Sequence, residues 1–442
     1  MKVIVVGCTH AGTAAIVNMK ALYEDVDVTV YERNDNISFL SCGIALNVSE
    51  VVKDAKTLFY SSPEALKELG VCTRMQTEVT EIDIAQKTLK AKDLKSGEEI
   101  EDTFDKLVIT TGSWPIVPRF EGGELENILL SKNYDHSKTI IERAKDAQNV
   151  VVIGAGYIGV ELAEAFEMLG KKTTLIDAEP RIMNKYLDKL YTDKAEEAFK
   201  AHGVELALGQ KVVKFEGTDG KVSKVVTDKA TFEADLVVLC IGFRPNTDLV
   251  KGQVDMISNG AILIDEYMQT SVKDVFAAGD ACVVSYNPTG EKRYVPLATN
   301  AVRMGMLVAK NLMGPKLKYL GTQSTSGIKI YDLNIAATGL TEEGAKAAGF
   351  NVETVTVTDN DRAEFMPTFE SATITLVYTQ NTKRILGGQI VSTKDLTQYM
   401  NTLSVVIQNK MTVEELAVVD FFFQPHFNKP WSLLNTVALA AL

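Results

Sequence analysis

The chain has 442 residues, 46% of them hydrophobic and 24% charged, with 46 basic side chains against 58 acidic ones and a formal net charge of −12. This length supports a large core and two to four domains of about 100–200 residues each, and the acidic balance argues against a phosphate-reading nucleic-acid binder. No apolar run approaches the roughly 20 residues of a membrane-spanning helix, so a cytoplasmic protein without nucleic-acid or membrane partners is expected.

The chain opens with "KVIVVGCTHAGTAAI" from Lys2: an unbroken β-branched run, a glycine turn, then a helix former. Such a run without alternation fits a parallel strand buried on both faces. A second strand, "DVTVYERN", ends its apolar run at Glu32, 25 residues after Gly7. The turn "GCTHAG" keeps Gly7 and Gly12 but has Thr9 at the middle position. His10 lies inside it, either as a structural histidine or as a group for proton work.

"ISFLSCGIAL" follows at residues 37–46, with Cys42 in an almost uncharged stretch. Taken by itself it reads as core packing, half of a disulfide, a ligand or a nucleophile. The five cysteines (Cys8, Cys42, Cys72, Cys240, Cys282) form no C-x-x-C pair, so no disulfide framework and no metal site is indicated. Cys72 and Cys240 lie in apolar surroundings and are expected to be inert packing.

The opening pattern returns as "NVVVIGAGYIGVELAEAF" from Asn149, a full G-x-G-x-x-G with Ile158, Leu162, Phe166 and Leu169 at helical spacing. Its partner strand "KTTLIDAE" reaches Asp177, 23 residues after Gly154. Strand, glycine turn, helix, strand and terminal acid make a dinucleotide-binding unit, with the acid expected about 20 residues on. Gly154 makes the tight turn, Gly156 admits the pyrophosphate, Gly159 lets helix and strand pack closely, and the helix N–H groups hold phosphate. Asp177 would bind ribose hydroxyls and repel a 2′-phosphate, which favours NAD over NADP. Two such units imply two dinucleotides.

Further on, "SVKDVFAAGDAC" ends an apolar strand at Asp280, either a polyol ligand or a helix N-cap. From about Gly321, strand-like "ATITLVYT" and "RILGGQIV" alternate with the helix-like "TQYMNTLSVVIQNK", without a glycine fingerprint. "DFFFQPHFNKPW" then gathers Phe421, Phe422, Phe423, Phe427 and Trp431, a core or interface cluster.

Taken together, the chain resembles the pyridine nucleotide–disulfide oxidoreductase superfamily, in the branch with a single active-site cysteine. The residues that carry the resemblance are the first turn with His10, "SFLSCG" with Cys42, "TTGSWP" at 110–115, the second turn, "CIGFRPNT" at 240–247, "AAGD" ending at Asp280, and "FFFQPHF" at 421–427. The pattern is most similar to that of its water-forming NADH oxidases, with NADH peroxidases close by. The resemblance implies an α/β fold with two Rossmann-like domains, for FAD and NAD, and an α+β C-terminal dimerisation domain. It implies an FAD domain at 1–115 and 246–320, an NAD domain at 116–245 and an interface domain at 321–442. It also implies a homodimer, with a dimer of dimers as an alternative.

By the same resemblance, Gly7, Cys8, Thr9, His10, Ala11, Gly12, Glu32, Arg33, Cys42, Thr110, Thr111, Gly112, Ser113, Lys132, Asp280, Leu297, Ala298 and Thr299 fall where FAD is contacted. Gly154, Gly156, Tyr157, Ile158, Gly159, Asp177, Tyr186, Gly242 and Gly327 fall where NADH is contacted, with Tyr157 covering the flavin. Phe423 belongs to the same cofactor set, and His426 is a candidate for reaching the partner subunit's flavin. Dithiol relatives carry C-x₄-C, whereas this chain has Asn47 where the second cysteine would stand. Cys42 is then expected to cycle as thiolate and sulfenic acid, shielded by Phe39, Leu40, Ile44 and Leu46. It would open a helix whose N-terminus favours the thiolate, with His10 placed over it.

The implied reaction joins two NADH and one O₂ into two NAD⁺ and two waters, with Cys42 and His10 as the catalytic pair. Reduction of added hydrogen peroxide and of coenzyme A disulfide are alternatives. A low-turnover flavin redox sensor is the alternative from another class.

Overall fold

The computed structural model describes residues 1–442. The chain builds the same α/β unit twice. The first sheet is parallel, in the order Cys72–Met75, Asp27–Glu32, Lys2–Val6, Lys106–Ile109, Val275–Ala277. The second repeats it as Glu205–Leu208, Lys172–Asp177, Asn149–Ile153, Leu236–Leu239, Ile128–Leu130. Each unit carries a three-stranded antiparallel insert between the first and fourth strands of that order, 77–103 in one unit and 212–233 in the other. The central strands are buried on both faces, as their uniform β-branched runs require.

A short ribbon pairing Ser113–Pro115 with Phe243–Pro245 joins the two units. The last strand of the first sheet thus comes from beyond residue 270, and the helix Ala298–Asn311 then packs along the helix His10–Leu22. The C-terminal part is a five-stranded antiparallel sheet, ordered 326–330, 333–339, 385–392, 371–379, 352–360. Its strands and the helices Gln398–Gln408 and Leu433–Leu439 enclose a separate apolar core.

Asp188 fastens this part to the second unit by accepting from the Glu342 amide at 3.1 Å and from the Gln389 side chain. Tyr191 adds a hydroxyl bond to Thr375 at 2.8 Å. No helix is long and apolar enough to cross a membrane.

Candidate functional site

In each unit the glycine turn runs from the first strand straight into a helix, at His10 in one and Tyr157 in the other. Gly7 and Gly154 have φ of +91° and +103°, the left-handed region that glycine tolerates. A Cβ on either would strike the neighbouring crossover carbonyl, Thr110 or Cys240. A Cβ on Gly12 or Gly159 would collide with the carbonyl of Gly7 or Gly154. Each turn is therefore a bare-backbone cradle with helix N–H groups at its mouth, which suits a pyrophosphate.

The terminal acids are fixed the same way. Glu32 accepts from the Cys8 amide at 2.8 Å and from the Asn34 amide at 2.9 Å. Asp177 accepts from the Ala155 amide and from the Glu179 amide at 2.8 Å. Burial pushes the Glu32 carboxyl up despite these donors.

Between the turns lies one cavity of about 1190 Å³. Its walls include Gly7, Thr9, His10, Ala11, Glu32, Arg33, Cys42, Thr110, Thr111, Gly112, Ser113, Lys132, Gly156, Tyr157, Ile158, Tyr186, Gly242, Asp280, Leu297, Ala298, Thr299 and Gly327. Six expected residues stay out of it. Cys8, Gly12, Gly154 and Gly159 shape the turns from behind, and Asp177 turns its carboxylate to backbone amides. Phe423 lies on an outer face, 46% exposed, and His426 is also exposed, bonded to Gln424. Neither reaches the cavity of its own chain.

Polar groups converge at one end. Asp280 accepts from the Ser113 hydroxyl at 2.7 Å and pairs with Lys132 at 3.6 Å. Lys132 also donates to Ser113 Oγ at 2.9 Å and lies 4.5 Å over the Phe243 ring. Asp280 sits inside a short 3₁₀ turn, Gly279–Ala281, so it caps no helix. Arg33 covers Trp114 at 4.4 Å. Tyr157 bonds Ser326 at 2.7 Å and packs on Tyr186, centroids 4.8 Å apart, across the second turn.

His10 places Nδ1 2.8 Å from the Tyr60 hydroxyl and leaves Nε2 buried without a partner. Burial lowers its basicity, with Asp280 opposing and Lys132 reinforcing that effect.

Cys42 corrects three expectations. It sits in a 3₁₀ turn, Ser41–Gly43, and the helix behind it starts only at Ile44 and ends at Val48. Its residue opens outward, yet the sulfur's surroundings push the thiol up by burial first and the Glu161 charge second, with Lys132 opposing. The surroundings of Cys42 therefore favour the thiol over the thiolate. Of the expected shield, Phe39 and Ile44 are buried, whereas Leu40 and Leu46 are exposed.

Of the two cysteines expected to be inert packing, one departs from that expectation and one does not. Cys72 is exposed, because its strand is the sheet edge. Cys240 lines the cavity, but burial raises its thiol to about 12, which keeps it unreactive.

Several wall residues carry no motif in the sequence, and Glu161 is the one among them with a strongly shifted carboxyl. Glu161 lines the cavity one turn after Tyr157, and burial together with the Glu164 charge raises its carboxyl to about 7. The signal was present in the i,i+4 spacing of Tyr157 and Glu161, which shares a helix face.

Residues 1–305 match the family model for pyridine nucleotide-disulphide oxidoreductase, and residues 325–433 match that family's dimerisation domain. An NADH oxidase from Enterococcus faecalis is 57% identical over 443 residues, covering 100% of this chain and 99% of that protein. A CoA-dependent NAD(P)H sulfur oxidoreductase from Pyrococcus furiosus is 32% identical over 440 residues, covering 99% and 98%. The solved structure of a water-forming NADH oxidase from Lactobacillus brevis, bound to NADH, matches with a TM-score of 0.98 at 53% identity, covering 100% and 98%.

Proposed function

The chain belongs to the pyridine nucleotide-disulphide oxidoreductase family, and from that we propose that it is an FAD-dependent NADH oxidase reducing O₂ to water. The observation that carries this reading is one cavity joining two dinucleotide cradles, with Cys42, the unreactive Cys240 and His10 in its wall. FAD bound along the first turn would accept hydride from NADH and pass electrons to O₂.

The first turn, Glu32, Thr111, Lys132, Asp280 and the helix start at Leu297–Thr299 would hold FAD. Gly156, Tyr157, Ile158, Tyr186, Gly242 and Gly327 would hold NADH, with Tyr157 and Tyr186 moving aside for the nicotinamide. Asp177, tied to the second turn, would take the adenosine ribose. On this reading FAD occupies 1–115 with 246–320, and NAD occupies 116–245.

Cys42 as thiolate would attack hydrogen peroxide generated in the cavity, forming the S–O bond of a sulfenic acid as the O–O bond breaks and the leaving hydroxide takes up a proton to become water; hydride from the next NADH would return the sulfenic acid to thiolate and a second water. Asn47 gives it no thiol partner: this side chain is spent on the Val52 carbonyl at 2.8 Å. Lys132 would supply the positive charge that favours the thiolate, against the burial and the Glu161 charge that favour the thiol.

The chain would work in the cytoplasm as a homodimer, with the exposed Phe422, Phe427 and Trp431 at 69, 64 and 56% exposure covered by the partner. Oxygen consumed per NADH, with and without catalase, tests the activity. Half an equivalent, unmoved by catalase, is expected. One equivalent, with oxygen returned by catalase, refutes water formation.

A further inference from the structure

Arg33 follows Glu32 at the end of the strand Asp27–Glu32, and Trp114 comes from the ribbon that joins the two units. Both line the cavity. Arg33 is exposed and Trp114 half-buried, so they meet at the cavity's outer edge and not in its floor. The guanidinium carbon lies 4.4 Å from the centre of the indole, well inside cation–π range. His136, in the first turn of the helix Tyr134–Ala144, packs against the same indole with centroids 5.6 Å apart and planes at 60°.

The Arg33 guanidinium makes no ion pair and no side-chain hydrogen bond within the chain. Glu32 is next to it in sequence, but the Glu32 carboxylate is spent on the Cys8 and Asn34 amides. A guanidinium held by one face on an aromatic ring keeps its N–H donors and its other face for a ligand. The wall beside it, with Asn34, Thr77 and Glu78, is polar as well.

We propose that Arg33 and Trp114 form a clasp over the adenosine half of FAD, with Arg33 touching the cofactor and Trp114 acting as a positioning residue for Arg33. This rests on the binding of FAD along the first turn proposed above. A free arginine side chain loses much rotamer freedom when a ligand fixes it. The indole has already fixed this one, so less is lost on binding and the bound cofactor is held longer. The clasp ties the strand end that carries the ribose acid to the ribbon between the units, two segments far apart in the chain.

The test measures how fast FAD leaves the holoenzyme, from the rise of free-flavin fluorescence after dilution. Arg33→Gln and Trp114→Leu are each expected to release FAD ~5-fold faster, as the loss of one cation–π contact allows. Trp114→Phe keeps an aromatic face and should stay within ~2-fold of the unmodified protein. A purely apolar packing role would be served by leucine as well as by phenylalanine. The double variant Arg33→Gln/Trp114→Leu should be no faster than Arg33→Gln. Unchanged release from Arg33→Gln, equal release from the Phe and Leu variants, or effects that multiply in the double variant overturns the proposal. Should the Trp114 variants fail to fold, Arg33→Gln decides, since its side chain is exposed: faster release supports the clasp and unchanged release refutes it. Unmodified protein that purifies without flavin and takes none up refutes the FAD reading itself, and the clasp with it.

Discussion

The two glycine turns are the same device with different cargo. Both leave the first strand at a left-handed glycine, both tie the terminal acid to the following amide, and both start a helix three residues later. At that third residue the first turn presents His10 and the second Tyr157. One turn further, the first helix has Ala14 and the second has Glu161. The backbone thus supplies the same cradle in duplicate, and the side chains at the helix start differ: a histidine at one turn, a tyrosine followed by an acid at the other.

The most severe way to break the comparison is to insert a side chain at the equivalent glycines. Gly7→Val adds a β-branched residue at φ +91° against the Thr110 carbonyl, costing at least about 1–2 kcal/mol in backbone strain before the clash is counted. Purified Gly7→Val protein is expected to hold little or no flavin, read from visible absorbance. Gly154→Val carries the same strain but is expected to stay yellow and to resist bleaching by anaerobic NADH. If both variants lose flavin alike, the two turns do not have separate tasks.

Replacing Cys42 leaves both turns intact and should change the product instead. Cys42→Ser is expected to keep flavin, oxidise NADH and release close to one hydrogen peroxide per NADH, because a hydroxyl is a far weaker nucleophile at neutral pH. Water from the variant, measured with a peroxidase-coupled dye, would remove Cys42 from the reaction.

Local patterns made the duplicated units readable in the sequence. The buried strands, the glycine spacings at 7–12 and 154–159 and the acids Glu32 and Asp177 all follow from short-range backbone requirements. What stayed hidden depends on geometry between distant segments. Tyr60 reaches His10 across 50 positions, with no spacing rule to mark it. Cys72 lies on a strand whose edge position is set by sheet order. Cys42 misses the helix start because the following turn is first 3₁₀, and the helix has only five residues. Phe423 faces away from the cavity because the segment at 421–431 lies over the C-terminal core rather than over the first unit. Its resemblance-based place among the cofactor contacts therefore fails within one chain.

Asp177 sharpens the contrast between the acids without disturbing the fold. Asp177→Ala removes the acceptor for the Ala155 and Glu179 amides and, on the proposed binding of adenosine ribose, the charge that would oppose a 2′-phosphate. NADH kcat/KM is expected to fall ~10-fold, as losing about 1.4 kcal/mol would give, while NADPH kcat/KM rises. A variant that discriminates as strongly as the unmodified enzyme would assign cofactor choice elsewhere.

The smallest effect concerns the acid that only the second helix carries. Glu161 is raised to about 7 in the folded chain from an ordinary value of 4.5, by burial first and Glu164 second. Between those values the folded state holds more protons at this site than the unfolded state. Stability from this group is therefore complete below the ordinary carboxyl value, falls as pH rises through the window and levels off above about 7. Glu161→Gln cannot ionise, so its Tm should decline less across the same interval, by a few °C at most for a chain of this size. Glu32 and Asp188 are also raised by burial, but they remain in both proteins and cancel in the difference; Glu164, whose charge acts on Glu161, loses that repulsion in the variant and moves the same way. The same substitution removes a negative charge that opposes the Cys42 thiolate, so alkylation of Cys42 should begin at lower pH in the variant. Coincident Tm–pH curves and coincident alkylation profiles would mean that Glu161 is ionised at neutral pH without touching the thiol. The second turn would then contribute binding alone, and the asymmetry between the two units would lie entirely at His10.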